Sequence, residues 1–171
     1  MEFDVIEGDI AARSADVLVN AAGTSLRMGS GVAGALRRGA GRAINEEAVS
    51  KGPVDLGGTA VTDAYDLDAE IVVHAAAMPH YGDGKATAAS VRLAAHNALK
   101  RADREGYRSL VMPALGCGVA GFDLERGARL IASEIDAFRP ESLADVRFIA
   151  YGESEAETVR RVAEDVRSGE P

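Results

Sequence analysis

Three glycines and two serines within residues 23–31 follow an apolar run and precede an apolar repeat. Val17-Leu18-Val19 reads as a buried strand, and Val32, Ala35 and Leu36 restart the apolar pattern at helical spacing. Strand, glycine loop and helix together can cradle an anion. Glycine lets the main chain approach closely, and a helix start offers free N–H groups at the positive end of its dipole. The loop Gly29-Ser30-Gly31 lacks the Lys-Ser/Thr of a P-loop and the third glycine of a dinucleotide fold. Its alternative reading is a tight strand-to-helix turn. A second unit of this kind follows the strand Ser109–Met112, in Gly116-Cys117-Gly118-Val119-Ala120-Gly121-Phe122. Ligands of open α/β sheets sit at the carboxyl ends of strands, so two such loops at one edge would wall a single cleft.

Side chains able to move protons are few near these loops. His80 lies in the loop Met78-Pro79-His80-Tyr81-Gly82-Asp83-Gly84 and is a candidate base, set against a solvated loop histidine. His74 ends an apolar strand and reads as a satisfied core residue, and His96 as a surface or interlayer residue of a helix. Cys117 sits between glycines, where an N–H-rich backbone would lower its pKa and make it nucleophilic. No His or Lys near it in sequence supports that, and a small residue tolerated in a tight loop is the plainer account. Asp123 reads as a helix N-cap and Asp9 as a turn or cap acid. Asn20 reads as structural at a strand end, with ligand contact secondary. Three scattered histidines and one cysteine have no metal-ligand spacing, so no metal and no cofactor are expected.

The elements that must position these groups alternate. Strands are expected at 3–6, 17–20, 59–62, 71–74, 109–112 and 146–151. A helix should run from the first glycine loop to about Val49, loosened at Gly39 and Gly41 and stopped by Gly52-Pro53. Others should span 86–105, follow Asp123, and begin at a Ser154–Glu157 capping box, with Arg167 to Pro171 frayed. The pattern predicts one α/β domain over 1–171, with a mixed, mostly parallel sheet between helix layers. At 47% hydrophobic residues and 171 residues, the chain can bury a proper core. Its net charge of −8 argues against general nucleic-acid binding, so an anionic ligand must be held locally, by backbone N–H groups. A lone cysteine allows no intrachain disulfide. With no signal core after Met1 and no apolar run of membrane-spanning length, a soluble cytoplasmic protein without membrane partners is the expectation.

Four segments in order resemble the macro domain, the ADP-ribose-binding module. They are Gly8-Asp9-Ile10, Val19-Asn20-Ala21-Ala22 with Gly29-Ser30-Gly31-Val32-Ala33, Gly118-Val119-Ala120-Gly121-Phe122, and Ile149-Ala150-Tyr151. The resemblance spans nearly the whole chain and implies a three-layer α/β/α sandwich. By it, Asp9 would accept from the adenine amino group, Ile10 would lie along the base and Tyr151 would stack on it. Asn20 and Ala22 would also belong to the ligand-binding set. Gly29, Ser30, Gly31 and Val32, with Gly118, Val119, Ala120, Gly121 and Phe122, would wrap the diphosphate, and Gly116 and Cys117 would join the ligand-binding set.

Three departures fall on the distal-ribose side. The hydrolytic members have a second Asn at Gly23 and an Asp at Ala33, and an aromatic residue is expected at Ala120. In one branch an Asp at the position of Asp123 works with an early Lys, but no Lys precedes Lys51 here. The resemblance therefore implies binding of ADP-ribose or a derivative, free or attached to a protein. One alternative is hydrolysis of ADP-ribosyl esters or O-acetyl-ADP-ribose by a non-standard base such as His80 or by substrate-assisted water. Another is a nucleotide-sensing domain that reads ADP.

Overall fold

A computed structural model describes residues 1–80, 82–118 and 120–170; Tyr81, Val119 and Pro171 lie outside the described residues. Its six strands are β1 (Asp4–Glu7), β2 (Val17–Gly23), β3 (Thr59–Asp63), β4 (Ile71–Met78), β5 (Ser109–Met112) and β6 (Asp145–Ala150). They form one sheet in the order β1-β6-β5-β2-β4-β3. Every neighbouring pair is parallel except β3 with β4, so β3 is an antiparallel edge strand. The expected mixed, mostly parallel sheet between two helix layers is what forms.

Both faces of the sheet are covered, which is why its central strands read as continuous apolar runs. Val17, Val19, Val73 and Leu110 pack under α3 (Ala88–Arg104), α4 (Leu124–Ala137) and α5 (Glu153–Ser168). Leu18, Val72, Val111 and Ile149 face the other way, under a short 3-10 turn (Ile10–Ala12), α1 (Gly31–Ala40) and α2 (Ala43–Lys51).

The structure corrects four local expectations. The first long helix is two, because Gly41 takes φ +102° and turns the chain between α1 and α2. β2 continues past Asn20 to Gly23, and β4 past His74 to Met78. The added residues are mostly alanines, poor strand formers that the sheet recruits by burying them. The N-cap of α5 is Gly152, not Ser154, although Glu155 still reaches back to accept from the Tyr151 N–H at 3.2 Å. The chain end is held as far as Glu170. The Arg167 guanidinium lies 4.4 Å over the Phe3 ring and donates to the Phe3 carbonyl, and Gly169 closes the helix in the left-handed region.

Candidate functional site

The end of β2 shapes the first loop. Ala22 pairs with Ala76, but Gly23 pairs with Met78, so the register slips by one residue at Gly23. A side chain at Gly23 would place its Cβ 3.1 Å from the Pro79 carbonyl and 3.7 Å from the His80 Cα. The bare glycine thus lets the Pro79–His80 segment close onto the strand end. Beyond it, the Met28 N–H donates to Asn45 at 2.8 Å, and Arg37 caps the Met28 carbonyl at 3.0 Å. Gly31 opens α1 at φ +62°, and the Ser30 side chain makes no capping bond to the first N–H groups. Gly34 is needed one turn on, since a Cβ there would stand 2.9 Å from the Gly29 carbonyl.

The second loop leaves β5 at Pro113 and folds on itself. The Phe122 N–H returns to the Gly116 carbonyl and the Gly121 N–H to the Gly118 carbonyl, both at 3.0 Å. Gly116 (φ +75°) presses on Ala86 and Val91, where a Cβ would come to 2.8 and 3.0 Å. Asp123 caps α4, accepting from the Arg126 N–H at 2.9 Å.

Between the loops lie two adjoining cavities that share Gly31, Val32, Ala114 and Gly118. The first, about 480 Å³, is lined by Ala22, Gly23, Ser25, Arg27, Gly29, Ser30, Ala33, Met78, His80, Gly116 and Ala120 among others. The second, about 410 Å³, is lined by Asp9, Ile10, Arg38, Cys117, Ile149, Tyr151 and Glu155 among others. The two glycine loops, the Gly8-Asp9-Ile10 turn and the end of β6 are thus brought to one cleft at the carboxyl edge of the sheet. Tyr151 stands 77% exposed at its rim while Ile10 is buried beneath. One oxygen of Asp9 accepts from the Ala11 N–H at 2.9 Å, so this acid caps the 3-10 turn while lining the cavity.

Other expected residues are placed elsewhere. Asn20 lines neither cavity; it is buried, with its amide 2.9 Å from His74 Nδ1. His74 Nε2 is 2.9 Å from the Thr62 hydroxyl, and burial lowers its pKa to about 4. His74 is therefore a neutral, satisfied core histidine. His96 lies between α3 and α4, 3.4 Å from Glu134 and edge-on to Phe138. Phe122 and Gly121 close the second loop outside both cavities, with Arg126 5.3 Å over the Phe122 ring. Asp123 lines neither cavity. Cys117 lines the second, but burial, with Asp123 and Glu155 adding negative charge, pushes its thiol up to about 12. Burial and the two carboxylates both favour the thiol over the thiolate, against a nucleophilic role.

Ser25, Arg27, Arg38 and Glu155 were not legible as site residues. The closest signal was position, two and four residues past Gly23 for the first pair. In the structure His80 Nδ1 is 2.9 Å from the Ser25 hydroxyl, and the His80 N–H donates to Thr24 Oγ1 at 3.0 Å. Among the described residues Arg27 has no carboxylate partner, and no group of three metal-ligating side chains gathers. No helix among them is long and apolar enough to cross a membrane.

The macro domain family model matches residues 19–131. An uncharacterised protein of Mycobacterium tuberculosis is 37% identical over 90% of this chain and 42% of its own length. The chain thus spans less than half of that relative. A Klebsiella pneumoniae protein named O-acetyl-ADP-ribose deacetylase is 34% identical over 93% of this chain and 94% of its own. A Trypanosoma brucei macrodomain solved in complex with ADP-ribose superposes with a TM-score of 0.83 at 26% identity, over 92% of this chain and 67% of that one.

Proposed function

Since this chain belongs to the macro domain family, we propose that its cleft binds ADP-ribose, free or attached to a protein. The observation that carries the reading is the pair of adjoining cavities between two glycine loops rich in backbone N–H groups. Each is of ligand-pocket size, within about 300–1,000 Å³. In this reading the adenine occupies the second cavity. Asp9 accepts from its amino group with the oxygen the turn leaves free, and Tyr151 stacks on the base. The diphosphate crosses at Gly31, Val32 and Gly118, where backbone N–H groups hold it without lysine. The terminal ribose enters the first cavity.

A second reading is hydrolysis of an acyl ester on that terminal ribose. It is supported by His80, among the described residues the one histidine or carboxylate side chain lining the first cavity, and by the likeness to the Klebsiella protein. A third is sensing of ADP alone.

Calorimetric titration with ADP-ribose and, in parallel, with ADP decides between the first and the third. ADP-ribose is expected to bind clearly tighter than ADP. Equal affinity would mean that the first cavity reads nothing, and binding of neither would refute the cleft. Tyr151→Ala should weaken ADP-ribose by about tenfold or more, since base–aromatic stacking contributes about 1–3 kcal/mol. Unchanged affinity would remove the stacking role.

A further inference from the structure

We propose that Ser25 and His80 form a nucleophile–base pair that cleaves acyl esters of the terminal ribose through an acyl-serine intermediate. The inference rests on the reading that ADP-ribose lies in the cleft. Four observations carry it. Ser25 and His80 both line the first cavity and are 2.9 Å apart, hydroxyl to Nδ1. The Ser25 oxygen accepts from the Arg27 N–H at 3.3 Å, and its hydroxyl proton is free to donate to Nδ1 when the ring carries its own proton on Nε2. The backbone on both sides of the histidine is tied: its N–H to Thr24, and its carbonyl to the Asp83 N–H at 2.9 Å. A serine held on a positioned base is the arrangement that activates a weak nucleophile.

The fourth observation concerns Gly23. The loss of a side chain there reads as a loss of chemistry in sequence. In the structure it gives room: a Cβ would stand a tight 3.1 Å from the carbonyl of Pro79, the residue before His80. The segment carrying His80 stands close against the strand end because nothing projects from it. Arg27, also lining this cavity, supplies a fixed positive charge for an oxyanion.

The chemistry balances without any co-reactant but water. The Ser25 oxygen attacks the acyl carbon, and its proton passes to His80 Nδ1. The adduct collapses by breaking the bond to the ribose oxygen, which takes that proton and leaves as a hydroxyl. Water then attacks the acyl-serine and gives a proton to Nδ1. The Ser25 oxygen departs and is reprotonated from the ring. The net result is ester plus water to carboxylic acid plus ADP-ribose. The acyl group has two sources with the same chemistry, a small free acid or a carboxyl side chain of a protein.

The test uses the full chain with the O-acetyl ester of ADP-ribose, and separately a protein carrying ADP-ribose on a glutamate side chain. ADP-ribose affinity is measured alongside by calorimetry. Ser25→Ala and His80→Ala should each lose about a hundredfold or more in turnover while ADP-ribose affinity stays within about twofold. Added imidazole should restore part of the His80→Ala rate. Acid quench of the parent protein during turnover at saturating ester should leave an acetyl group on the peptide containing Ser25, and the same quench of Ser25→Ala should leave none. Turnover of only one ester names the acyl source. Three results would overturn the pair: Ser25→Ala within about threefold of the parent, no acetyl on that peptide, or ADP-ribose binding with no turnover of either ester. Failure of ADP-ribose binding itself would refute the cleft reading, and this one with it.

Discussion

Single residues show where the sequence was readable. His74 was legible as core because an apolar strand leads into it. What it touches was not legible, since Asn20 and Thr62 lie on strands that only the sheet order brings beside it. The Thr62 hydroxyl donates to the Asp63 carbonyl at 3.0 Å, so it accepts from His74 Nε2, and Nδ1 accepts from the Asn20 amide. Every contact suits the neutral ring. Burial lowers its pKa from 6.5 to about 4. The unfolded chain therefore binds a proton between these values that the folded chain refuses, and stability falls as pH falls through that window. Linkage puts the loss between pH 7 and pH 5 at about 2 kcal/mol. Urea unfolding at both pH values should show it, and His74→Gln should remove most of it. An equal loss in the variant would place the titrating group elsewhere. His80, 55 residues from Ser25, was legible only singly, because only the pairing of β2 with β4 brings the two loops together.

At the level of elements, the alternation of strands and helices was legible from apolar spacing, and so were the two loops that wall the cleft. Boundaries failed where alanine carries no strand signal and where Gly41 breaks a pattern that runs on in sequence. Loop-to-helix packing was also invisible, and Gly127 in α4 is the clearest case. A Cβ there would stand 2.3 Å from the Cys117 sulfur and 3.3 Å from the Phe122 ring. The glycine lets the second loop lie on the helix, with Cys117 tucked into the space. Gly127→Ala improves helix propensity, but overpacking of this kind commonly costs about 1–3 kcal/mol. Thermal unfolding should show net destabilisation, and ADP-ribose should bind more weakly as Cys117 and Gly118 are displaced. Cys117→Ala in the same chain should recover much of both, because the two residues contest one volume. Additive losses would mean that the loop is held by something other than this contact.

For the molecule as a whole, the net charge of −8 sets a problem that the cleft must solve. ADP-ribose carries a diphosphate, and an acidic protein repels it beyond the contact range. At about 0.1 M salt that long-range field is screened over roughly 10 Å. Backbone N–H groups at the start of α1 and in the second loop act only at contact, where salt screens little. Arg27 and Arg38 line the cavities, but each is a single charge at a different end of the cleft. The two effects of salt therefore differ in sign from those on a protein that binds phosphates through a basic surface, whose affinity falls steeply as counterions are retained. ADP-ribose affinity should hold within about twofold, or rise, when salt is raised from about 50 to about 300 mM. Association should quicken, because the repelled encounter is the step that salt relieves. Titrations and stopped-flow traces across that range measure both. A tenfold loss of affinity would assign the diphosphate to the arginine side chains and overturn its placement on the glycine-loop backbone.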